Sequence, residues 1–292
     1  MKVNMELNDT KEVGQFIPLH YHYQMLYDHA RIAGFRSAIN HVVKPGDVVL
    51  ELGSGTGVLS FYASEKARKV YSVEFNGELV EESRRLLALN PNGDKVEVIH
   101  GDAFEYIPPE PVNAVICEML HVGLLREKQL SMIDEFKTRY KKHFKDSPMP
   151  IFIPTAVIQA IQPVNHDFHF EGYYAPITLF QDPYHDDPRT TPLGNPVVYH
   201  QLMYDQAYDF SCKWSGNVQI VNEGSFNAIR VITKNILAIK PENQEIIDWH
   251  NQYLIIPLEK ELKVNQGQNI NISFDYLAGA PLTDLRPVVT QA

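Results

Sequence analysis

A chain of 292 residues with 44% hydrophobic content is long enough for two domains or one large one, and its composition is that of a globular protein. A formal net charge of −10 argues against a broad phosphate-binding surface, and so against nucleic acid as a partner; it is compatible with a cationic substrate drawn to an acidic cleft, though solubility alone is the plainer explanation. No apolar run approaches the roughly 18 residues of a membrane span, the polar start of the chain lacks a signal core, and two cysteines are too few for a disulfide framework; a cytoplasmic protein is expected.

In chain order, residues up to about Phe16 look frayed, and Tyr21 to Asn40 reads as one helix with Met25, Leu26, Ile32, Ala33 and Ile39 as apolar positions. Pro45-Gly46-Asp47 is a turn into a first strand, where Val48, Val49 and Leu50 form the continuous apolar run of a parallel strand covered on both faces. Gly53, Gly55 and Gly57 then allow a sharp turn against a ligand, and Leu59 to Ala67 follow as a helix whose N-terminus points at it. Val70 to Val73 form the second strand, with Glu74 at its C-terminal end, where an acid can accept hydrogen bonds from both hydroxyls of a ribose. A helix from Gly77 to Leu89 stops at Asn90-Pro91-Asn92-Gly93. Val96 to His100 is a third strand running into Gly101-Asp102, and Val112 to Cys117 is a fourth, ending at Glu118. A helix from about Lys128 to Phe144 precedes the break Ser147-Pro148-Met149-Pro150.

Beyond Ile151 the helical period fades. Short β-rich runs replace it: Ala156 to Ile161, Val197 to Met203, Asn217 to Val221, Ala228 to Ile232, Gln252 to Ile256 and Asn269 to Tyr276. This is the pattern of an antiparallel sandwich or barrel. Residues 168–196 are loop-like and too long for a plain connection, as expected of a lid or an oligomerisation arm. The expected fold class is α/β, a Rossmann-like doubly wound domain followed by an antiparallel β-barrel or sandwich. The expected division is 1–40, an N-terminal helical segment; 41–150, the cofactor domain; and 151–292, the β domain.

The glycine spacing G-x-G-x-G is neither the dinucleotide fingerprint nor a P-loop, which needs Gly-Lys-Ser/Thr. Glu51, two residues before the first glycine, would repel a phosphate but suits an ammonium or sulfonium ligand. S-adenosylmethionine is therefore favoured as cofactor, and methyl transfer as the chemistry; an ordinary strand-turn-helix without a ligand is the plainer alternative. Asp102 is placed to accept from an adenine amine, or else it caps a turn.

Glu118 and Glu127 bracket an apolar loop, EMLHVGLLRE, and the Asn/Asp-Pro-Pro-aromatic signature of nucleic-acid adenine methyltransferases is absent there. Two carboxylates can grip a planar guanidinium bidentately. Holding its charge on the gripped nitrogens leaves another nitrogen with more lone-pair character. The alternative is that Glu127 caps the next helix. No histidine or cysteine spacing suits a metal, and no G-x-S-x-G nucleophile elbow appears.

On these motifs the chain resembles the protein arginine methyltransferases along most of its length. Gly53-Ser54-Gly55-Thr56-Gly57 matches the family's cofactor loop, Glu74 its ribose acid, and Glu118 and Glu127 its two substrate acids at the family spacing. His22-Tyr23-Gln24-Met25-Leu26 with Asp28 and Arg31 looks like the helix that covers the cofactor; the resemblance implies that Arg31 holds the cofactor carboxylate and Met25 packs near its sulfonium. It also implies a C-terminal β-barrel entered near Ile153-Pro154, a homodimer whose arm is 168–196, and protein or peptide arginine as the methyl acceptor. One departure stands out. The family's Thr-His-Trp loop corresponds to Ile247-Asp248-Trp249-His250 here. Asp248 could then add a third carboxylate or His250 take the missing histidine's role; otherwise Trp249 is a core aromatic and His250 a surface residue. A small guanidine, amine or hydroxyl metabolite therefore competes as acceptor, and a catalytically silent cofactor-binding scaffold is the third reading.

Overall fold

The computed structural model describes residues 17–291; the expectation of a frayed start lies outside them. The chain forms two compact units. Of the described residues, one contains 17–119 together with Arg126–Ile153, and the other contains Leu120–Leu125 together with 154–291.

The first unit is built on five parallel strands, β1 (Val48–Leu52), β2 (Lys69–Glu74), β3 (Val96–His100), β4 (Ala114–Cys117) and β5 (Ile151–Ile153), in the order β3-β2-β1-β4-β5. Every residue of β1 and β4 is buried, as a continuous apolar run requires. The helices are α1 (Leu19–Met25), α2 (His29–Val42), α3 (Val58–Ser64), α4 (Gly77–Ala88) and α5 (Gln129–His143). The chain winds from β1 outward to β3 and returns on the other side at β4. That reversal is the topological switch point, and in open α/β sheets ligands bind outside the carboxyl ends of the strands there.

Two local features differ from the sequence expectation. The single helix over Tyr21 to Asn40 is two helices, because the Asp28 carboxylate accepts the Arg31 N–H at 2.9 Å and starts α2 afresh. Ile151–Ile153, hidden behind the Pro-rich break, pairs with β4 as a fifth strand. Buried Tyr140 of α5 ties the helix to the segment leading into β4: its hydroxyl accepts the Val112 N–H at 3.1 Å and donates to the Val112 carbonyl at 3.3 Å.

The second unit is antiparallel throughout its strand pairs. Its strands are β6 (Ala156–His166), β7 (His169–Phe170), β8 (Tyr173–Tyr174), β9 (Leu179–Gln181), β10 (Thr190–Pro192), β11 (Val197–Met203), β12 (Ser211–Gln219), β13 (Gly224–Lys240), β14 (Glu245–His250), β15 (Tyr253–Val264), β16 (Asn269–Leu277) and β17 (Val288–Gln291). A seven-stranded sheet runs β10-β6-β13-β15-β9, with β11 added to β6 and β14 to β13; β12-β16-β17 and β7-β8 form smaller sheets. The 168–196 segment is thus not plain loop, but its strands have two or three residues, too few for an alternation to show in sequence. β13 is far longer than the Ala228 to Ile232 expected. Polar residues interrupt its apolar run, and each finds a partner inside the unit: Asn227 on the His166 backbone, Arg230 on Gln162, Thr233 on Gln159 and Asn235 on Asn251. The Leu120–Leu125 segment is held in the same way. Thr233 Oγ1 accepts the Gly123 N–H at 2.8 Å, and Asn251 Nδ2 donates to the Leu120 carbonyl at 3.1 Å.

Tyr140→Phe keeps the ring and removes the hydroxyl, leaving the buried Val112 peptide without its partner. Chemical denaturation is expected to show a loss of about 1–3 kcal/mol in unfolding free energy.

Candidate active site

The turn after β1 is pinned by its neighbours. The Gly53 and Ser54 amides both donate to the Val73 carbonyl of β2, at 2.9 and 3.0 Å. Gly53, Gly55 and Gly57 have φ values of 74°, 53° and 78°. At Gly57 glycine is required twice over, by that left-handed backbone and by space, since a Cβ would stand 2.5 Å from Ser83 Oγ of α4. Glu74 closes the turn from the next strand. Its Oε2 accepts the Gly55 N–H and its Oε1 the Asn76 N–H, both at 2.8 Å, and each oxygen has a further lone pair for a ligand hydroxyl. The Ser54 hydroxyl is buried there without a hydrogen-bond partner among the described residues. At the end of β3, Asp102 accepts the Phe104 N–H at 2.9 Å and so caps the turn.

Two further side chains approach this turn. His22 of α1 brings Nδ1 to 3.0 Å from where a Gly55 Cβ would be, and Met119 brings Sδ to 3.1 Å from the equivalent point on Gly53. Burial, assisted by the charge of Arg31, lowers the His22 pKa to about 4, so the ring is neutral near pH 7. Met25 is the last residue of α1 and half-buried.

Carboxylates gather along the carboxyl ends of the central strands. Glu51 is only 2% exposed and accepts a hydrogen bond from the Ser60 hydroxyl of α3. Burial raises its pKa to about 8, with Glu118 and Glu74 adding repulsion. Glu51 is therefore not the standing negative charge that its sequence position suggests, because the same burial that places it by the turn keeps its proton on near neutrality. Glu118, the first residue past β4, is paired with the Arg31 guanidinium, and both side chains are largely buried. Arg31 thus has a protein partner different from the ligand carboxylate that the resemblance implies, since a carboxylate this buried calls for a counter-cation. Burial still outweighs Arg31 and raises Glu118 to about 7, and Glu127 and Asp28 push in the same direction. Glu127 is itself raised by burial, with Arg126 opposing. The fold therefore brings Glu118 and Glu127 within electrostatic reach of each other.

Comparison with known proteins fits this arrangement. A family model described as a methyltransferase domain matches residues 49–143. An uncharacterized protein of Methanocaldococcus jannaschii is 27% identical over 266 residues, covering 91% of this chain and 95% of that protein. Protein arginine N-methyltransferase PRMT10 of Oryza sativa subsp. japonica is 32% identical over 152 residues, which is 51% of this chain but only 38% of the rice protein. The Trypanosoma brucei PRMT1 enzyme–prozyme complex with AdoHcy shares the fold, with a TM-score of 0.74 over 94% of this chain and 97% of that one at 15% identity. The chain is an S-adenosylmethionine-dependent methyltransferase related to the protein arginine methyltransferases.

The methyltransferase's residues fit that cofactor. The buried Ser54 hydroxyl lacks a hydrogen-bond partner among the described residues, and Glu74 keeps lone pairs for a ribose. Among the described residues no group of three or more His, Cys, Asp or Glu is arranged to hold a metal. In the second unit Asp248 is ion-paired with Lys234 at 2.8 Å, Trp249 is 5% exposed, and the His250 N–H is accepted by the Tyr184 hydroxyl at 3.2 Å. Burial lowers the His250 pKa, and the Lys234 charge adds to this. Asp248 is thus not a spare carboxylate; its charge is taken up by lysine on the neighbouring strand. The sequence placed His22 on the helix expected to cover the cofactor, without its approach to Gly55, and gave no role to Met119 or Gln129, because these contacts are tertiary and no local spacing marks them.

Glu51 carries its own pH signature. With a folded pKa raised from 4.5 to about 8, its contribution to stability is fully present below pH 4.5 and is lost as pH rises through 8. Thermal melts across that window are expected to show a falling Tm in the wild type and a flatter profile in Glu51→Gln; parallel slopes would contradict the assignment.

Proposed function

We propose that this methyltransferase transfers a methyl group to a guanidinium nitrogen, with protein or peptide arginine as the acceptor. The observation that carries this reading is the Arg31–Glu118 pair beside Glu127. Glu118 is a buried carboxylate that already accepts a planar guanidinium, and a second acid lies within its electrostatic range. S-adenosylmethionine supplies the electrophilic methyl on a sulfonium; the Gly53–Gly57 turn, Ser54, Glu74 and Asp102 would hold its nucleoside, and Met25, Glu51 and, on exchanging Glu118 for the ligand carboxylate, Arg31 would hold the remainder. Methyl transfer is a displacement in line, so the protein's task is to align the nucleophile and exclude water. Glu118 and Glu127 grip the guanidinium, and Glu118, with its raised pKa, is the better placed to take the proton that the methylated nitrogen releases. The reading extends to a cytoplasmic homodimer joined through 168–196, supported by Tyr173, Tyr174 and Ile177, which stand exposed on that segment.

A second reading, a small guanidine, amine or hydroxyl metabolite as acceptor, is favoured by one observation. The Asp248-Trp249-His250 stretch departs from the family's loop, and Asp248 is engaged by Lys234. Mass spectrometry of products from purified protein, labelled donor and cell extract separates the two: label on protein arginine supports the first, and label confined to small molecules removes it.

Glu127→Gln is expected to lower methyl transfer by about 10²–10⁴-fold while calorimetry shows cofactor affinity nearly unchanged. Only the ionised Glu118 can pair with a guanidinium, so kcat/KM should rise with pH through about 7 in the wild type. Glu118→Gln should remove that limb along with most of the activity. Unimpaired turnover in either variant would sink the two-carboxylate mechanism.

A further inference from the structure

We propose that Gln129 is the positioning residue that sets the direction and separation of Glu118 and Glu127, a statement that rests on the two-carboxylate reading above. Gln129 is the first residue of α5 and only 2% exposed. Its Nε2 donates to the Cys117 carbonyl at 2.6 Å, and its Oε1 accepts the Met119 N–H at 2.9 Å. The Cys117 thiol also donates to Oε1, at 3.2 Å.

Those two backbone groups flank one residue, Glu118. In a parallel ladder, a residue of the neighbouring strand donates to the carbonyl before its partner and accepts from the amide after it. The Gln129 amide makes this same pair of bonds around Glu118. Strand pairing stops short of that point: β4 meets β1 as far as Leu52↔Cys117 and β5 as far as Ile116↔Ile153. A side chain therefore takes the place of a strand neighbour one step beyond the sheet. It holds the Glu118 backbone extended where the chain would otherwise be free to turn. Gln129 is also the second residue after Glu127, so one rigid group ties both acids to a common frame.

The residue type is specific to the task. An amide has a donor and an acceptor on one planar group, as a peptide does. Glutamate would lose the donor and set a third charge beside Glu118. Methionine would match the size but leave the Cys117 carbonyl and Met119 amide buried and unpaired.

The test uses the full chain with Gln129→Met and, as the shorter amide, Gln129→Asn. In the wild type the Met119 amide should exchange slowly by NMR, and both variants should release it. With an arginine-containing peptide, kcat should fall about 10–100-fold while the S-adenosylmethionine dissociation constant changes by less than about threefold. The pH limb assigned to Glu118 should also shift, which a loss of stability alone does not produce. A retained kcat, an unprotected Met119 amide in the wild type, or loss of activity in step with cofactor affinity would overturn the proposal. If Gln129→Met fails to fold, Gln129→Asn is judged by the same measurements. Should the wild type methylate no guanidinium at all, the acceptor reading fails, whereas Met119 exchange still decides whether Gln129 holds the strand end.

Discussion

Negative charge held in low dielectric is the constraint from which the chemistry of the first unit follows. Glu51, Glu74 and Glu118 come from the ends of three adjacent strands, and the parallel register leaves them no choice but to share one edge. Like charges so placed either keep protons or acquire a cation. The fold uses both solutions: Glu51 keeps its proton with the Ser60 hydroxyl beside it, and Glu118 takes the Arg31 guanidinium. A ligand entering this edge is favoured when it brings positive charge or hydrogen-bond donors. The sulfonium of the methyl donor meets that requirement.

A second theme is the completion of backbone ladders by side chains. Where strands end, peptide groups lose their partners, and burial makes each loss costly. Glu74 answers for Gly55 and Asn76, Asn113 Oδ1 accepts the Val48 N–H at 2.9 Å, Asp102 caps the chain after β3, and Gln129 serves both sides of Glu118. The backbone at these strand ends is thereby fixed by polar side chains.

What could be read from sequence divides along physical lines. The β1–turn–β2 unit was legible because a strand buried on both faces must be apolar throughout, and because glycine at positive φ leaves a residue-type mark. Acids at strand ends were legible for the same reason, a polar residue closing an apolar run. The break at Asp28 was not, since a cap and a mid-helix aspartate look alike until the Arg31 amide turns toward it. β5 and the short strands between His169 and Pro192 carry too few residues for a period. The protonation of Glu51 and the reach of His22 and Met119 depend on burial and on distant contacts, which local sequence does not encode.

The Leu120–Leu125 segment has a consequence for recombination. It belongs to the second unit although the residues on either side of it belong to the first. Its Gly123 amide and Leu120 carbonyl are matched to Thr233 and Asn251, and Gly123 holds a φ of 71° that a larger residue would resist. The boundary between the units is therefore not one cut at Ile153–Pro154 but three. A chimera that exchanges only the C-terminal part inherits a hexapeptide fitted to the wrong host, so inheritance of the β unit, natural or engineered, must carry those six residues with it.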